Sequence, residues 1–403
     1  MQSDLSVRPE IAGWWRGAAL DRFIADLVGD VLTRLRPGRQ AQARPGELAF
    51  DTLDSLERVR LAMAIEEALQ APAAPADERP STALTSEVLL AEWRRRMASA
   101  EGAIGFRTSG SARSPRLIVH GLEDLAREIE AHAETFAGVA RIVSLIPAHH
   151  IYGFLFTVLL PLRLGVPVLE ARGLTPLSLA AELVPGDLVI AAPAHWQIIA
   201  DASLTWPRDV QGVTSSAPCP QAVAESLRRQ GLGRLVEIYG STETAGIGWR
   251  QAPAAPFELF AYWSRVDDSH IAKPSKGGAW RTFELPDHVV WHGVRALTPT
   301  ARRDGAVQVG GINVLPERVR SVLCAHPDVA DAIVRLMRPD EGDRLKAFVV
   351  PKDQGRSEDE LRIDIERWLT ERLEPMALPR AITFGSELPR NVMGKTADWI
   401  LGA

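Results

Sequence analysis

The stretch Leu235-Val236-Glu237-Ile238-Tyr239-Gly240-Ser241-Thr242-Glu243-Thr244 decides how this chain is read. A strand-length apolar run passes directly into an aromatic, a glycine, hydroxyls and a carboxylate. Each suits one part of a nucleotide. Tyr239 offers a flat face on which a purine can stack, and Gly240 gives the backbone access to φ values that a β-carbon forbids. Thr242 can donate to a phosphate oxygen. Glu243 supplies a hard oxygen of the kind Mg²⁺ takes when phosphates and waters complete its shell.

Outward from this run the same grammar repeats. Apolar runs at 142–146, 166–169, 188–191, 210–214 and 235–239 alternate with helical spacing such as Leu122, Leu125, Ile129 and Phe136. Alternation of this kind predicts an α/β fold, a mostly parallel sheet covered by helices. Ligands of such sheets sit beyond the carboxyl ends of the strands. The polar loops Thr108-Ser109-Gly110-Ser111, Ser215-Ser216-Ala217-Pro218 and the one after Tyr239 all fall there.

The pattern changes on either side. Short strands at 257–263, 280–285 and 288–292 predict a small antiparallel patch. After Asp304 come a strand at 306–309, Gly310-Gly311, a helix over Pro316–Cys324, strands at 329–337 and 345–350, and a helix at 359–373. We therefore expect a large domain over 1–303, with a helical entry region over 1–100, and a small α+β domain over 304–403. In the entry region Leu20, Phe23, Ile24, Leu27, Val28, Val31, Leu32 and Leu35 carry helical spacing. Asp54-Ser55-Leu56-Glu57 opens a second helix. It is similar to the phosphopantetheine-attachment helix of acyl carrier proteins, but Asp54 or Ser55 as a helix cap is the favoured reading, since Arg58 and Arg60 stand where carriers are acidic. The Pro/Ala-rich segment 71–80 reads as a linker.

In this order, Tyr239 to Thr244, the Thr108 loop and Arg390-Asn391-Val392-Met393-Gly394-Lys395 resemble the adenylate-forming superfamily of acyl-CoA synthetases, peptide-synthetase adenylation domains and luciferases. The likeness covers residues 100 to 396. It implies that a carboxylic acid is joined to the α-phosphorus of ATP, with Mg²⁺, and then passed to a thiol. Thr108, Ser109, Gly110 and Ser111 would hold the β- and γ-phosphates. Arg116 stands where a lysine is usual and can still meet phosphate bidentately. Arg113 replaces a glycine of that loop. Ser216, Ala217, Tyr239, Gly240 and Ser241 would complete the nucleotide site, Asp287 and Arg302 the ribose contacts, with Glu284 as the alternative acid because the usual Thr-Gly-Asp is absent. Glu243 would hold the metal. Lys395 would stabilise charge developing at the α-phosphate, with Thr242 and His150 as further catalytic residues. Asp304 occupies the hinge about which the small domain would turn.

His149-His150-Ile151-Tyr152-Gly153 is similar to the superfamily's acyl-pocket motif, and Trp196, Ser216, Ala217, Gly246 and Ile247 are expected to wall the same cavity. An aromatic acid suits this mixture. The run from His149 to Phe154, with Gln308 to Val314, most resembles the compact hydroxybenzoate:acyl-carrier-protein ligases of xanthomonadin and aryl-polyene pigment synthesis. That resemblance implies 3-hydroxybenzoate as the acid and a holo acyl carrier protein as acceptor, with free CoA the alternative. A catalytically silent carrier-binding scaffold of the same fold is the competing expectation.

Composition narrows the classes. With 46% hydrophobic and 24% charged residues the chain is globular in type, and a net charge of −5 lacks the basic excess of a nucleic-acid binder. Cys219 and Cys324 lie far apart without metal spacing, which fits a reducing cytoplasm. The run 151–164 is too short to span a bilayer, and 1–8 carries no basic leader followed by an apolar stretch. Arginine greatly outnumbers the five lysines, so each lysine in a motif is informative.

Overall fold

The computed structural model describes residues 7–36, 53–70, 86–97, 102–108, 116–251, 255–275, 278–353, 355, 357–390 and 397–401. Two compact units divide them. The first holds the described residues up to Thr108, Leu117–Leu285 and Val290–Thr298; the second holds Arg116, Pro286–Val289 and the described residues from Pro299 onward.

In the first unit, α1 (Ala18–Leu35) forms where the apolar spacing predicts it and buries Leu20, Phe23, Ile24, Leu27, Val28 and Leu32. Its Phe23 meets Trp14 and Phe154 edge-on at ring separations of 5.7 and 5.6 Å. The next helix, α2 (Ser55–Leu69), starts in a capping box: the Asp54 carboxylate accepts from the Glu57 amide at 2.8 Å and the Glu57 carboxylate from the Asp54 amide at 3.0 Å. The acid before Ser55 thus satisfies helix-end donors as a cap does. After α3 (Ser86–Met97) come β1 (Ala103–Arg107) and β2 (Leu117–Gly121), paired antiparallel, and α4 (Leu122–Thr135).

The main sheet follows. Its parallel core comprises β3 (Arg141–Ser144), β4 (Val168–Glu170), β5 (Asp187–Ala191), β6 (Gln211–Thr214) and β7 (Arg234–Ser241), in the spatial order β4-β3-β5-β6-β7. All five residues of β5 are buried, as expected for a strand covered on both faces. Helices α5 (Pro193–Asp201) and α6 (Gln221–Arg229) form the crossovers from β5 to β6 and from β6 to β7, and Trp196, Trp206, Val223 and Leu227 build one core cluster with the strands.

Beyond β7 the alternation stops. Residues 241–245 turn the chain back into β8 (Ala245–Gln251), which lies antiparallel to β7 and pairs with β9 (Phe257–Leu259). The expected antiparallel patch is divided. Strands β10 (Ser264–Arg265), β11 (His270–Pro274) and β12 (Trp280–Glu284) form a separate three-stranded sheet, whereas β13 (Asp287–His292) and β14 (Ala296–Arg302) extend the main sheet to nine strands. The chain passes from one unit to the other along β13 and β14.

The second unit holds the expected strand, helix, two strands and helix, and adds two strands that were not expected, at 312–314 and 381–384; in order it runs β15 (Val307–Val309), β16 (Ile312–Val314), α7 (Pro316–Cys324), β17 (Val329–Leu336), β18 (Leu345–Pro351), α8 (Glu358–Thr370) and β19 (Ala381–Phe384). Leu323, Val349, Leu361 and Ile365 lie in its core. Lys346, fully buried on β18, donates to Glu341 and to the Trp399 carbonyl at 2.7 Å each and pairs with Asp398 at 3.0 Å. Asp398 and Trp399 are thereby tied to this sheet, and Ala397 N–H donates to Pro389 O at 2.8 Å.

Candidate functional site

Strands β6 and β7 run side by side in parallel, with Thr214 opposite Glu237, so the loops leaving their carboxyl ends are neighbours. Ser215 Oγ donates to the Ile238 carbonyl at 2.9 Å, and the Cys219 amide donates to Glu237 Oε1 at 3.1 Å. Ser216, Ala217, Tyr239, Gly240, Ser241, Thr242 and Glu243 are thereby gathered at one place on the sheet's rim. Ser216 is exposed and held at φ +79°, a left-handed conformation that costs a non-glycine residue free energy and persists only where its surroundings over-determine it.

The Tyr239 turn is built from its own hydroxyls. Ser241 pairs with Ala245 across a loop of Thr242, Glu243 and Thr244. Buried Thr244 Oγ1 accepts from the Ser241 amide at 3.1 Å and donates to the Ala245 carbonyl at 2.9 Å. Thr242 and Glu243 are half-buried at the tip. Gly240 corrects the conformational reading, because its φ is not positive; the left-handed residue of this hairpin is Ala245, at +60°. The glycine is needed for space instead. A β-carbon there would lie 2.1 Å from the Ala245 carbonyl oxygen, at the irregularity where the β7–β8 register shifts.

Beneath Tyr239 lies a buried ion pair. Glu237 accepts from Arg250 at 2.9 and 2.8 Å. The Arg250 guanidinium lies 4.3 Å from the Phe257 ring centroid, and Phe257 meets Tyr239 at 5.4 Å. Burial pushes the Glu237 carboxyl above the usual range, against the pull of Arg250. The adjacent Cys219 thiol is pushed by burial up to about 12, so it is not a nucleophile at neutral pH.

His150 stands immediately before the helical run that begins at Ile151, its ring 4.1 Å from that of His149. Two residues on, the Tyr152 hydroxyl lies 3.1 Å from the Ala191 carbonyl and 2.9 Å from that of Val213, the ends of β5 and β6. The histidine motif is thus fastened to the same edge as the Ser216 loop. Burial, reinforced by His150, Arg34 and Arg172, holds the His149 pKa well below the ordinary imidazole value. The folded pKa lies below the unfolded one, so protonation favours unfolding. Stability is therefore expected to be full above the unfolded value of about 6.5 and to fall as pH drops below it. Melting temperatures of wild type and His149→Phe between pH 8 and 5 check this: the variant's curve should be the flatter.

One expected wall residue packs into the core. Trp196 is fully buried in the core, its indole N–H donating to Val213 O at 3.1 Å, and its ring fills the space where a β-carbon on Gly212 would come within 2.7 Å. It supports β6 rather than walling an accessible cavity. Gly246 is buried, with both its peptide groups hydrogen-bonded to side chains and Ile247 fully buried beside it.

The second unit carries the other candidates. Arg302 pairs with Asp304 at 2.7 Å, and the Asp287 carbonyl accepts from Arg303 Nε at 3.2 Å. Asp304 is held below its ordinary pKa: burial acts upward, but Arg302 and the Ala306 amide outweigh it. Arg116 is exposed. Ser109, Gly110, Ser111 and Lys395 lie outside the described residues. Among the described residues no cluster of three histidine, cysteine or acidic groups is shaped to hold a metal. The Glu243 carboxylate at the rim is of the kind that fits Mg²⁺, which keeps most of its waters and needs one or two carboxylates besides phosphate oxygens. Nor is any described helix long and apolar enough to cross a membrane.

Sequence reading missed Glu237, Arg250, Glu128 and Lys273. A signal was present for two of them: Glu237 interrupts an apolar strand, and Glu128 stands on the apolar face of α4 beside Leu125 and Ile129.

Residues 47–267 match the AMP-binding enzyme family, and residues 319–395 match the AMP-binding enzyme C-terminal domain. The chain is 34% identical over 345 residues to a 4-coumarate-CoA ligase of Halorhodospira halophila, covering 85% of this chain and 87% of that one. It is 39% identical over 298 residues to the 4-coumarate-CoA ligase of Rhodobacter capsulatus, covering 73% and 74%. Among solved structures, an amide bond synthetase from Marinactinospora thermotolerans superposes with a TM-score of 0.60 at 18% identity, covering 85% of this chain and 77% of that one. The o-succinylbenzoate CoA synthetase of Bacillus subtilis gives 0.58 at 19% identity, covering 73% and 67%. At those identities the structures speak for the fold alone.

Proposed function

Since this chain belongs to the AMP-binding enzymes and is an ATP-dependent adenylate-forming ligase, we propose that it activates an aromatic carboxylic acid, of the hydroxycinnamate or hydroxybenzoate class, and passes the acyl group to the thiol of CoA. The observation that carries the chemistry is the convergence of the Ser216 loop and the Tyr239–Glu243 turn at the carboxyl ends of adjacent strands. A purine would stack on Tyr239 against Ser216 and Ala217. Thr242 would donate to a phosphate oxygen. Glu243 would hold Mg²⁺, whose charge offsets that of the triphosphate.

In the first half-reaction an acid oxygen attacks the α-phosphorus, the bond to the bridging oxygen breaks, and pyrophosphate leaves. Lys395, with Thr108, Ser109, Gly110, Ser111 and Arg116 at the phosphates, would oppose the charge that develops. In the second, the thiol sulfur attacks the acyl carbon and AMP leaves as the thiol gives up its proton. Asp304 at the start of the small unit is proposed as the hinge between the two, and Asp287 with Arg302 as the ribose contacts. His150, Gly246 and Ile247 are proposed for the acid side.

The names of the 4-coumarate-CoA ligases favour CoA as acceptor. A holo acyl carrier protein and 3-hydroxybenzoate, in pigment synthesis, remain the reading carried by the resemblance of the His149–Phe154 and Gln308–Val314 runs alone. Thioester formation separates them. With ATP and Mg²⁺ fixed, 4-coumarate and 3-hydroxybenzoate are each offered with CoA and with a holo carrier protein, and products are read by mass. We expect an aromatic acyl-CoA. Thioester on the carrier with none on CoA would replace the CoA reading.

A further inference from the structure

We propose that His120, Lys273 and Glu128 are positioning residues that grip the Thr242–Gly246 segment from its buried side, so that Thr242 and Glu243 meet phosphate and metal at fixed geometry. The inference rests on the nucleotide role proposed above and adds residues from three other elements to it.

The turn's backbone is held by side chains far away in sequence. On β2, His120 is buried, and its Nε2 lies 2.7 Å from the Thr242 carbonyl oxygen. A carbonyl only accepts, so Nε2 carries the proton and donates. On β11, Lys273 is only 4% exposed and aims Nζ at the Thr244 carbonyl, at 3.4 Å. Its ammonium sits against the faces of Trp263 and Phe283, 4.9 and 5.3 Å from their centroids. On α4, the Glu128 carboxylate is buried and accepts the Gly246 amide through both oxygens, at 3.1 and 2.9 Å, and His132 Nε2 at 3.1 Å. The Gly246 carbonyl in turn accepts from Trp263 Nε1 at 2.8 Å and Tyr262 Oη at 3.0 Å.

Charge explains why these groups are tolerated. Burial alone lowers the Lys273 pKa and raises that of a carboxyl. Asp124 and Glu128 oppose that lowering at Lys273. Although burial acts upward on Glu128, His132, Gly246 and Lys273 together hold it below the ordinary value. The cation and the anion are thus co-dependent, and both are committed to the segment that starts at Thr242. A hairpin that only needed stability would be served by apolar packing at less cost. What a polar frame adds is a single backbone position.

The test is titration of a non-hydrolysable ATP analogue into the full chain, with and without Mg²⁺, by calorimetry. The quantity read is the gain in affinity that Mg²⁺ brings. His120→Leu and Lys273→Met are each expected to reduce that gain about tenfold, the equivalent of ~1.4 kcal/mol. His120→Gln, which keeps a donor, is expected to restore most of it. A structural role alone would lower the melting temperature and the binding-competent fraction while the fitted affinities with and without Mg²⁺ stayed as in wild type; that result overturns the proposal, as does failure of His120→Gln to restore the gain when it folds. If either apolar variant does not fold, Lys273→Gln and Gly246→Ala replace them. The latter sets a methyl 2.3 Å from Glu128 Oε1 and must shift that carboxylate. Should wild type itself bind no ATP analogue, the nucleotide reading fails, which is a different outcome from a wild type that binds and variants that match it.

Discussion

Lys395→Ala is expected to lower the rate of adenylation by roughly 10²–10³, ~2.7–4 kcal/mol of transition-state stabilisation, the cost of removing one donor aimed at developing charge. The loss should be selective. Adenylation places new negative charge around the α-phosphorus as the acid oxygen closes and pyrophosphate departs, and the ammonium has most to offer there. Attack of a thiol on the acyl carbon of an adenylate instead develops charge first at the carbonyl oxygen, away from the α-phosphorus, before AMP leaves as an anion. Thioester formation from supplied acyl-AMP should therefore be largely spared. Single-turnover assays of the two half-reactions check this, and equal losses in both would point to a folding defect or to a role in positioning the whole small unit.

Arg250→Met is expected to have the largest effect on stability. Glu237 is 3% exposed and its carboxylate is matched by the Arg250 fork. Removing the arginine strands a buried anion, which costs about 3–5 kcal/mol when no partner replaces it. Urea unfolding measures the loss. Arg250→Lys should recover only part, since a point charge does not reproduce the planar two-point contact or the stacking on Phe257. Removing both charges in Glu237→Leu/Arg250→Met should recover more than the single variant does, because no ion is then left unpaired. Losses that simply add would contradict the coupling. Activity should fall with Arg250→Met even in the folded fraction, since Glu237 also fixes the Cys219 amide, close to Ser216.

The parallel strands were legible because each is a local apolar run, and the α2 cap because a capping box occupies four consecutive residues. What followed Tyr239 was less so. Alternation of strand and helix does not mark where it stops, and Thr244 closes a tight turn with its own hydroxyl and sends the chain back as β8. The sense of Gly240 was misread for a related reason: a turn glycine suggests unusual φ, whereas here the opposing strand's carbonyl takes the space of a side chain. Trp196 looked like a pocket wall because it is aromatic and near a strand end. Its burial depends on Gly212, which lies on the next strand.

The polar frame under the turn was not read from the sequence, because two of its bonds join residues about 120 positions apart. His120 meets Thr242 across 122 residues and Glu128 meets Gly246 across 118. A buried charge is explained by its partner, and local sequence does not contain the partner. Sequence does contain the anomaly. Glu237 inside an apolar strand and Glu128 on an apolar helix face are each out of place until the fold pairs them.

The most direct measurement is exchange of labelled pyrophosphate into ATP in the presence of a panel of hydroxycinnamates and hydroxybenzoates. Exchange that requires an aromatic acid and Mg²⁺, and that collapses in Lys395→Ala, is the predicted result. No acid-dependent exchange from a folded, ATP-binding wild type, or exchange untouched by loss of Lys395, would contradict it.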